Sequence, residues 1–158
     1  MRALGSSVTR VCARAVSPKV NTGCREQEVC RLRWDWEVRI PELETSVFII
    51  PGDVVKNRED RLVVLNRVAR WVIEEVRGQH SERVLSYKDK PIESMNNSAW
   101  KRARIAGGLP QVRIHDLKHT FGRRLRAAGV PLETRRVLLG IAMETSRRTT
   151  RCRKLPNC

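Results

Sequence analysis

Residues 115–139, HDLKHTFGRRLRAAGVPLETRRVLL, constrain the fold more than any other stretch of the chain. With Asp116 as a helix cap, Leu117, Phe121, Leu125 and Ala128 fall at i, i+4, i+8 and i+11, which lines one side of an α-helix with core-facing residues. His115, Lys118, His119, Arg123, Arg124 and Arg126 then form a cationic surface along the same element. Gly129 sits where this helix should stop and Pro131 where the next should start. The stretch therefore predicts two helices joined by a tight turn, with titratable groups gathered on one edge of the first.

Charge narrows the partner. The 158 residues carry a formal net charge of +15, and residues 101–158 hold 15 Lys or Arg against three acids, Asp116, Glu133 and Glu144. Such asymmetry points to a polyanion, with nucleic acid the leading candidate. A chain of this length buries one modest core, so one domain at most is expected. No apolar run approaches the length needed to span a bilayer, which argues against a membrane protein. Five cysteines, an odd number without a C-x-x-C pair, read as free thiols in a reducing, cytoplasmic compartment.

Taken in order, residues 1–19 show no sustained period and are expected to be irregular. A turn at Thr22-Gly23 leads into a short helix from about Glu26, with Val29 and Leu32 on its buried side. Glu37 to Ile40, Val47 to Ile50 and Arg61 to Leu65 are β-branched runs separated by Pro41, Pro51, Gly52 and Asn57, which predicts a small antiparallel sheet. Asn66 caps a helix whose core side is read as Val68, Trp71, Val72 and Val76. Val84 to Ile92, with Tyr87 and Pro91, reads as a short extended piece with a turn, and Tyr87 as a partly buried strand residue. Asn96 to Ile105 is read as a further helix with Ala99, Trp100 and Ala103 inward, ended by Gly107, Gly108 and Pro110. Residues 141–158 read as a basic tail.

Two segments carry a family resemblance. His115, Asp116, Leu117, Lys118, His119, Thr120 and Phe121, followed by Leu138, Leu139 and Gly140, resemble the signature of the tyrosine recombinases, the phage integrase family. There a His-x-x-Arg motif leads into a Thr-Phe helix and then a Leu-Leu-Gly-His segment. Upstream, Thr22-Gly23-x-Arg25-x-x-Glu28-Val29-x-x-Leu32-x-Trp34 is similar to the segment that carries the family's first catalytic arginine. The resemblance covers about residues 20–140. It implies an α+β, mainly helical fold: a partial recombinase catalytic core with a small antiparallel three-stranded sheet.

It also implies a chemistry, site-specific breakage and rejoining of double-stranded DNA through a phosphotyrosine link, with no metal or nucleotide cofactor. Cations must then balance charge on the phosphate oxygens while a donor protonates the leaving oxygen. On the resemblance, Arg25 and Lys118 clamp the phosphate, Lys56 is the general acid on a β-hairpin, and His115 is its hydrogen-bonding or proton-transfer partner. Arg123, Arg124, Arg126, Arg135 and Arg136 would bind DNA, on which a homo-oligomer is expected.

The sequence departs from the pattern at three places. Lys118 stands where the family usually has arginine, and an ammonium cannot supply the planar two-pronged bond of a guanidinium. Ile141 stands where it usually has histidine. The nucleophile is missing, because the single tyrosine is Tyr87, upstream of His115. A one-base frameshift at or just after Gly140 would account for this: one permitted set of codons in the neighbouring frame reads His-Arg-Asn-Gly-Asp-Ile-Thr-Thr-His-Tyr-Ser. The chain is therefore expected to be catalytically defective. Two other readings stand beside this one: a non-enzymatic helix-turn-helix module over residues 117–139, and zinc binding through His115 and His119 at i, i+4.

Overall fold

The computed structural model describes residues 7–95 and 97–141, with side-chain environments for residues 14–95 and 98–141. The tail after residue 141, and with it the frameshift expectation, lies outside the described residues. The fold is α+β and mainly helical, with six α-helices among the described residues, a three-stranded antiparallel sheet and a small hairpin.

The helix at the centre is one that hydropathy does not announce. Helix α1 (Ser7–Thr22) packs against the four helices α2 (Glu26–Cys30), α3 (Arg67–Val76), α4 (Asn97–Ala106) and α5 (Asp116–Ala127). The irregular segment expected over residues 1–19 is thus corrected from Ser7 onward. Its buried positions include Ala15, Lys19 and Thr22, a helical stripe of one small, one charged and one polar side chain. A search for apolar periodicity passes over such a stripe. The Thr22 hydroxyl turns back on the helix and donates to the Pro18 carbonyl at 2.7 Å. Burial pushes the Lys19 ammonium below its ordinary pKa, against the pull of Glu26. Gly23, at φ +68°, ends α1 with its N–H on the Lys19 carbonyl.

The sheet follows the expected runs. Strands β1 (Glu37–Ile40), β2 (Thr45–Ile50) and β3 (Arg61–Val64) pair antiparallel in the order β1-β2-β3. Period-two alternation turns Phe48, Ile50 and Val63 into the core, and Arg61, opposite Ile50, goes in with them. Ile49 and Leu62 face outward. Arg77, following α3, grips Glu37 of β1 through two hydrogen bonds of 2.9 and 3.0 Å, which ties that helix to the sheet.

Helix α3 begins where expected. The Asn66 side chain accepts from the Ala69 N–H at 2.9 Å. Its core face is rotated by one position, however: Ala69, Val72, Ile73 and Val76 are buried, whereas Val68 and Trp71 are 46% and 62% exposed. Asn66→Ala is expected to cost about 1 kcal/mol, read as a lowered urea midpoint with an unchanged slope. A loss under a few tenths would mean the cap contributes nothing.

Strands β4 (Ser86–Tyr87) and β5 (Lys90–Pro91) close through Lys88 and Asp89, both at positive φ as a type I′ turn requires. Tyr87 is half-buried in β4 as read. Cys24 and Cys30 are buried free thiols, and burial pushes Cys30 up to about 12. Among the described residues no helix is long and apolar enough to cross a membrane.

Candidate active site

The site grows from three chain corners. The first is the α1–α2 turn. Arg25 precedes α2 in extended backbone, and its N–H donates to Glu28 Oε2 at 2.7 Å while its Nη1 donates to Glu28 Oε1 at 2.8 Å. One carboxylate thus fixes both ends of the arginine. Arg25 keeps about a third of its side-chain surface open, whereas Glu28 is 3% exposed.

The second corner is the start of α5. Asp116 does not cap this helix as expected: it lies inside the first turn, and its carboxylate accepts from the Arg113 N–H at 2.9 Å and pairs with the Arg113 guanidinium at 3.2 Å. That guanidinium holds Asp116 below the usual carboxylate range. Leu117 is buried, Phe121 and Leu125 are half-buried, and Ala128 is exposed rather than core-facing. The Phe121 ring occupies the space a side chain on Gly23 would need, so α1 and α5 meet there without a Cβ between them.

The third corner is the end of α6 (Leu132–Leu139), reached through the expected Gly129-Val130-Pro131 joint. Gly140, at φ +57°, turns the chain, and the Gly140 and Ile141 N–H groups close the helix on the Val137 and Arg136 carbonyls. The next carbonyls go to cations. Leu138 O accepts from Arg61 Nη2 at 3.2 Å, Leu139 O from Lys118 Nζ at 2.6 Å, and Gly140 O from Arg25 Nη2 at 3.3 Å. These carbonyls form the negative end of the helix dipole, which suits the cations gathered there.

Lys118 is strongly perturbed. Burial, then the nearby Arg61 and Arg25 charges, bring its ammonium down to about 8, against the opposing pull of Glu28. His119 lies one residue on, and its ring meets that of His115 edge to face, 5.0 Å between centroids. Among the described residues no group of three or more His, Cys, Asp or Glu is placed to hold a metal ion.

Between the corners opens a cleft of about 530 Å³. Arg25, Lys118, Arg123, Arg126, Arg135, His115 and His119 line it, along with Gly122, Leu139 and Ile141, and no acid is among the lining residues. Arg25 thus meets His115 and Lys118, two of the three separated places in the chain that the resemblance brings together. Lys56 does not join them: it sits on the β2–β3 connection as expected, but exposed and outside this lining. Arg124 is exposed and Arg136 half-buried, both also outside it.

Sequence reasoning missed Arg61, which is 2% exposed. Its Nε lies 3.1 Å from Glu28 Oε2, an ion pair rather than an aligned hydrogen bond, and its Nη2 also donates to Gly23 O at 3.2 Å. The available signal was the alternation in Arg61-Leu62-Val63-Val64, which puts Arg61 on the same face as Val63.

Comparison with known proteins bears on the family and the fold. The chain is 29% identical to the integrase of Salmonella phage P22 over 126 residues, which cover 72% of this chain and 32% of that protein. It therefore spans about a third of that relative. Among solved structures, XerH site-specific recombinase bound to difH substrate matches with a TM-score of 0.67 at 18% identity, covering 88% of this chain and 42% of that one. The Tn1549 transposon integrase in complex with circular intermediate DNA matches with a TM-score of 0.63 at 15% identity, over 89% and 53% of the two chains. These two likenesses bear on the fold. The sequence model described as the phage integrase family matches residues 12–148, a span that starts within α1 and runs past the expected 20–140 limits. With so much of its length matched, the chain belongs to the phage integrase family.

Proposed function

We propose that the chain is a phage-type site-specific recombinase domain of DNA integration and recombination, and that the cleft beside α5 and α6 takes the phosphodiester backbone of double-stranded DNA. The observation that carries this is a lining with five Lys or Arg, two His and no acid. Such a surface repels a cationic ligand, and it suits the polyanion partner that net charge points to. Arg25 and Lys118, which donate to adjacent carbonyls at the end of α6, would clamp one phosphate, with His115 in the same lining, and Arg123, Arg126 and Arg135 would extend the track along the backbone. Arg124 and Arg136 are proposed as peripheral contacts. The general-acid role of Lys56 stands on the resemblance alone.

Strand cleavage needs an in-line nucleophile, and Tyr87 belongs to the β4–β5 hairpin rather than to the cleft lining. The polypeptide of these 158 residues is therefore proposed to bind DNA without forming a phosphotyrosine link. In titrations followed by fluorescence anisotropy, it should bind a short duplex with an affinity that falls steeply with salt. Arg135→Ala should reduce the slope of log K against log salt by about 1. Salt-independent binding would remove the proposal, and a denaturant-stable adduct on nicked DNA would overturn its cleavage-defective part.

The helix-turn-helix alternative is less well supported, because α6 is held at its C-terminal end by Arg61, Lys118 and Arg25, and its Arg135 lines the cleft. Assembly into homo-oligomers on DNA, and a cytoplasmic setting, belong to the same proposal.

A further inference from the structure

Arg61 is buried at the start of β3, yet its polar contacts run to residues just behind two walls of the cleft, those that carry Arg25 and Leu139. Behind one wall its guanidinium faces Glu28 at 3.1 Å and donates to Gly23 O, and the same Glu28 carboxylate holds Arg25 from both sides. Behind the other it donates to Leu138 O, two residues before the carbonyl that receives Arg25. Gly140 passes so close that a Cβ there would collide with Arg61 Nη1.

We propose that Arg61 is the positioning residue for Arg25, setting through Glu28 and the last turn of α6 where the Arg25 guanidinium meets a phosphate. The inference rests on the DNA-backbone reading of the cleft. Its physical basis is preorganisation. Arg25 has a long, partly open side chain, and a phosphate ligand that must first be ordered binds less tightly than one already held. Core cohesion alone would not call for this arrangement, because a buried ion pair is often matched or exceeded in stability by apolar side chains of similar volume. What an apolar pair cannot do is lock the orientation of a neighbouring guanidinium. A planar fork at residue 61 reaches the Glu28 carboxylate and two carbonyls at once, whereas a lysine ammonium is a single point of charge.

The test is a double-mutant cycle on duplex affinity using the whole chain, with folding checked by circular dichroism. Arg25→Ala should weaken binding about tenfold, and Arg61→Lys about three- to tenfold in the wild-type background but less than about twofold on top of Arg25→Ala. That collapse of the second effect is what action through Arg25 predicts, and a merely structural role would not produce it. If Arg61→Lys fails to fold, Arg61→Gln, which leaves Glu28 paired with Arg25, carries the same cycle.

Equal losses in both backgrounds, or a folded Arg61 variant that binds like wild type while Arg25→Ala does not, would overturn the role of Arg61 alone. A chain that does not bind duplex DNA, or an Arg25→Ala variant that binds normally, would remove the cleft reading and this inference with it. Unfolding of both Arg61 variants would make the residue architectural, and the proposal would be withdrawn.

Discussion

Glu28→Ala is expected to lower folding stability by about 3–5 kcal/mol, a large fraction of what a domain of this size has. Glu28 and Arg61 are both almost wholly enclosed, at 3% and 2% exposure, and the Glu28 carboxylate faces two guanidinium groups. Truncation leaves Arg61 charged and without its counter-ion in a place water does not reach. The cost is then that of the stranded cation more than of the lost attraction. Urea unfolding followed by circular dichroism reads the effect. Glu28→Ala with less than about 1 kcal/mol of loss would show that solvent already neutralises Arg61, contrary to its burial.

The second large effect concerns pH. Lys118 is brought down to about 8 by burial and by the Arg61 and Arg25 charges, so its ammonium form fades as pH rises through that value. A phosphate prefers the charged form. Duplex affinity should therefore fall between about pH 7 and 9, whereas Lys118→Arg, which keeps its charge throughout, should bind with no step in that range. With the added second prong, the arginine variant is expected to bind roughly tenfold more tightly. The sign for folding is opposite. Between the folded value of about 8 and the ordinary 10.5, the native state holds fewer protons than the unfolded chain at this position, so stability contributed by Lys118 rises with pH across that window. Anisotropy titrations at constant ionic strength separate the two. Identical pH profiles for wild type and Lys118→Arg would show that Lys118 does not titrate there.

The parts of this fold that were legible in the sequence are those whose signal is local. The β-branched runs became β1, β2 and β3 almost to the residue, because turn-forming segments bound each one. Arg25, His115 and Lys118 were recognisable by their neighbours, and the fold does bring all three to one cleft. What could not be read depended on partners distant in the chain. Two apolar stripes of similar quality run along α3, and only packing decides that Ala69 and Ile73, not Val68 and Trp71, turn inward. Helix α1 escaped notice because its buried side includes Ala15, Lys19 and Thr22, side chains that become interior only when other helices surround them. Arg61 was hidden for the same reason: its counter-ion lies 33 residues away, on α2. The exposed position of Lys56 could not be read from a motif that specifies only the connection it occupies.

The end of α6 supplies oxygen acceptors to Arg61, Lys118 and Arg25 from three successive residues. In the free protein those oxygens stand in for an anion, so like charges are gathered without one. On the proposed reading, a phosphate that enters would meet cations already shared with peptide oxygens. An isolated small anion would then gain little, whereas a backbone engaging several cations at once would gain at each of them, which favours polymer over monomer.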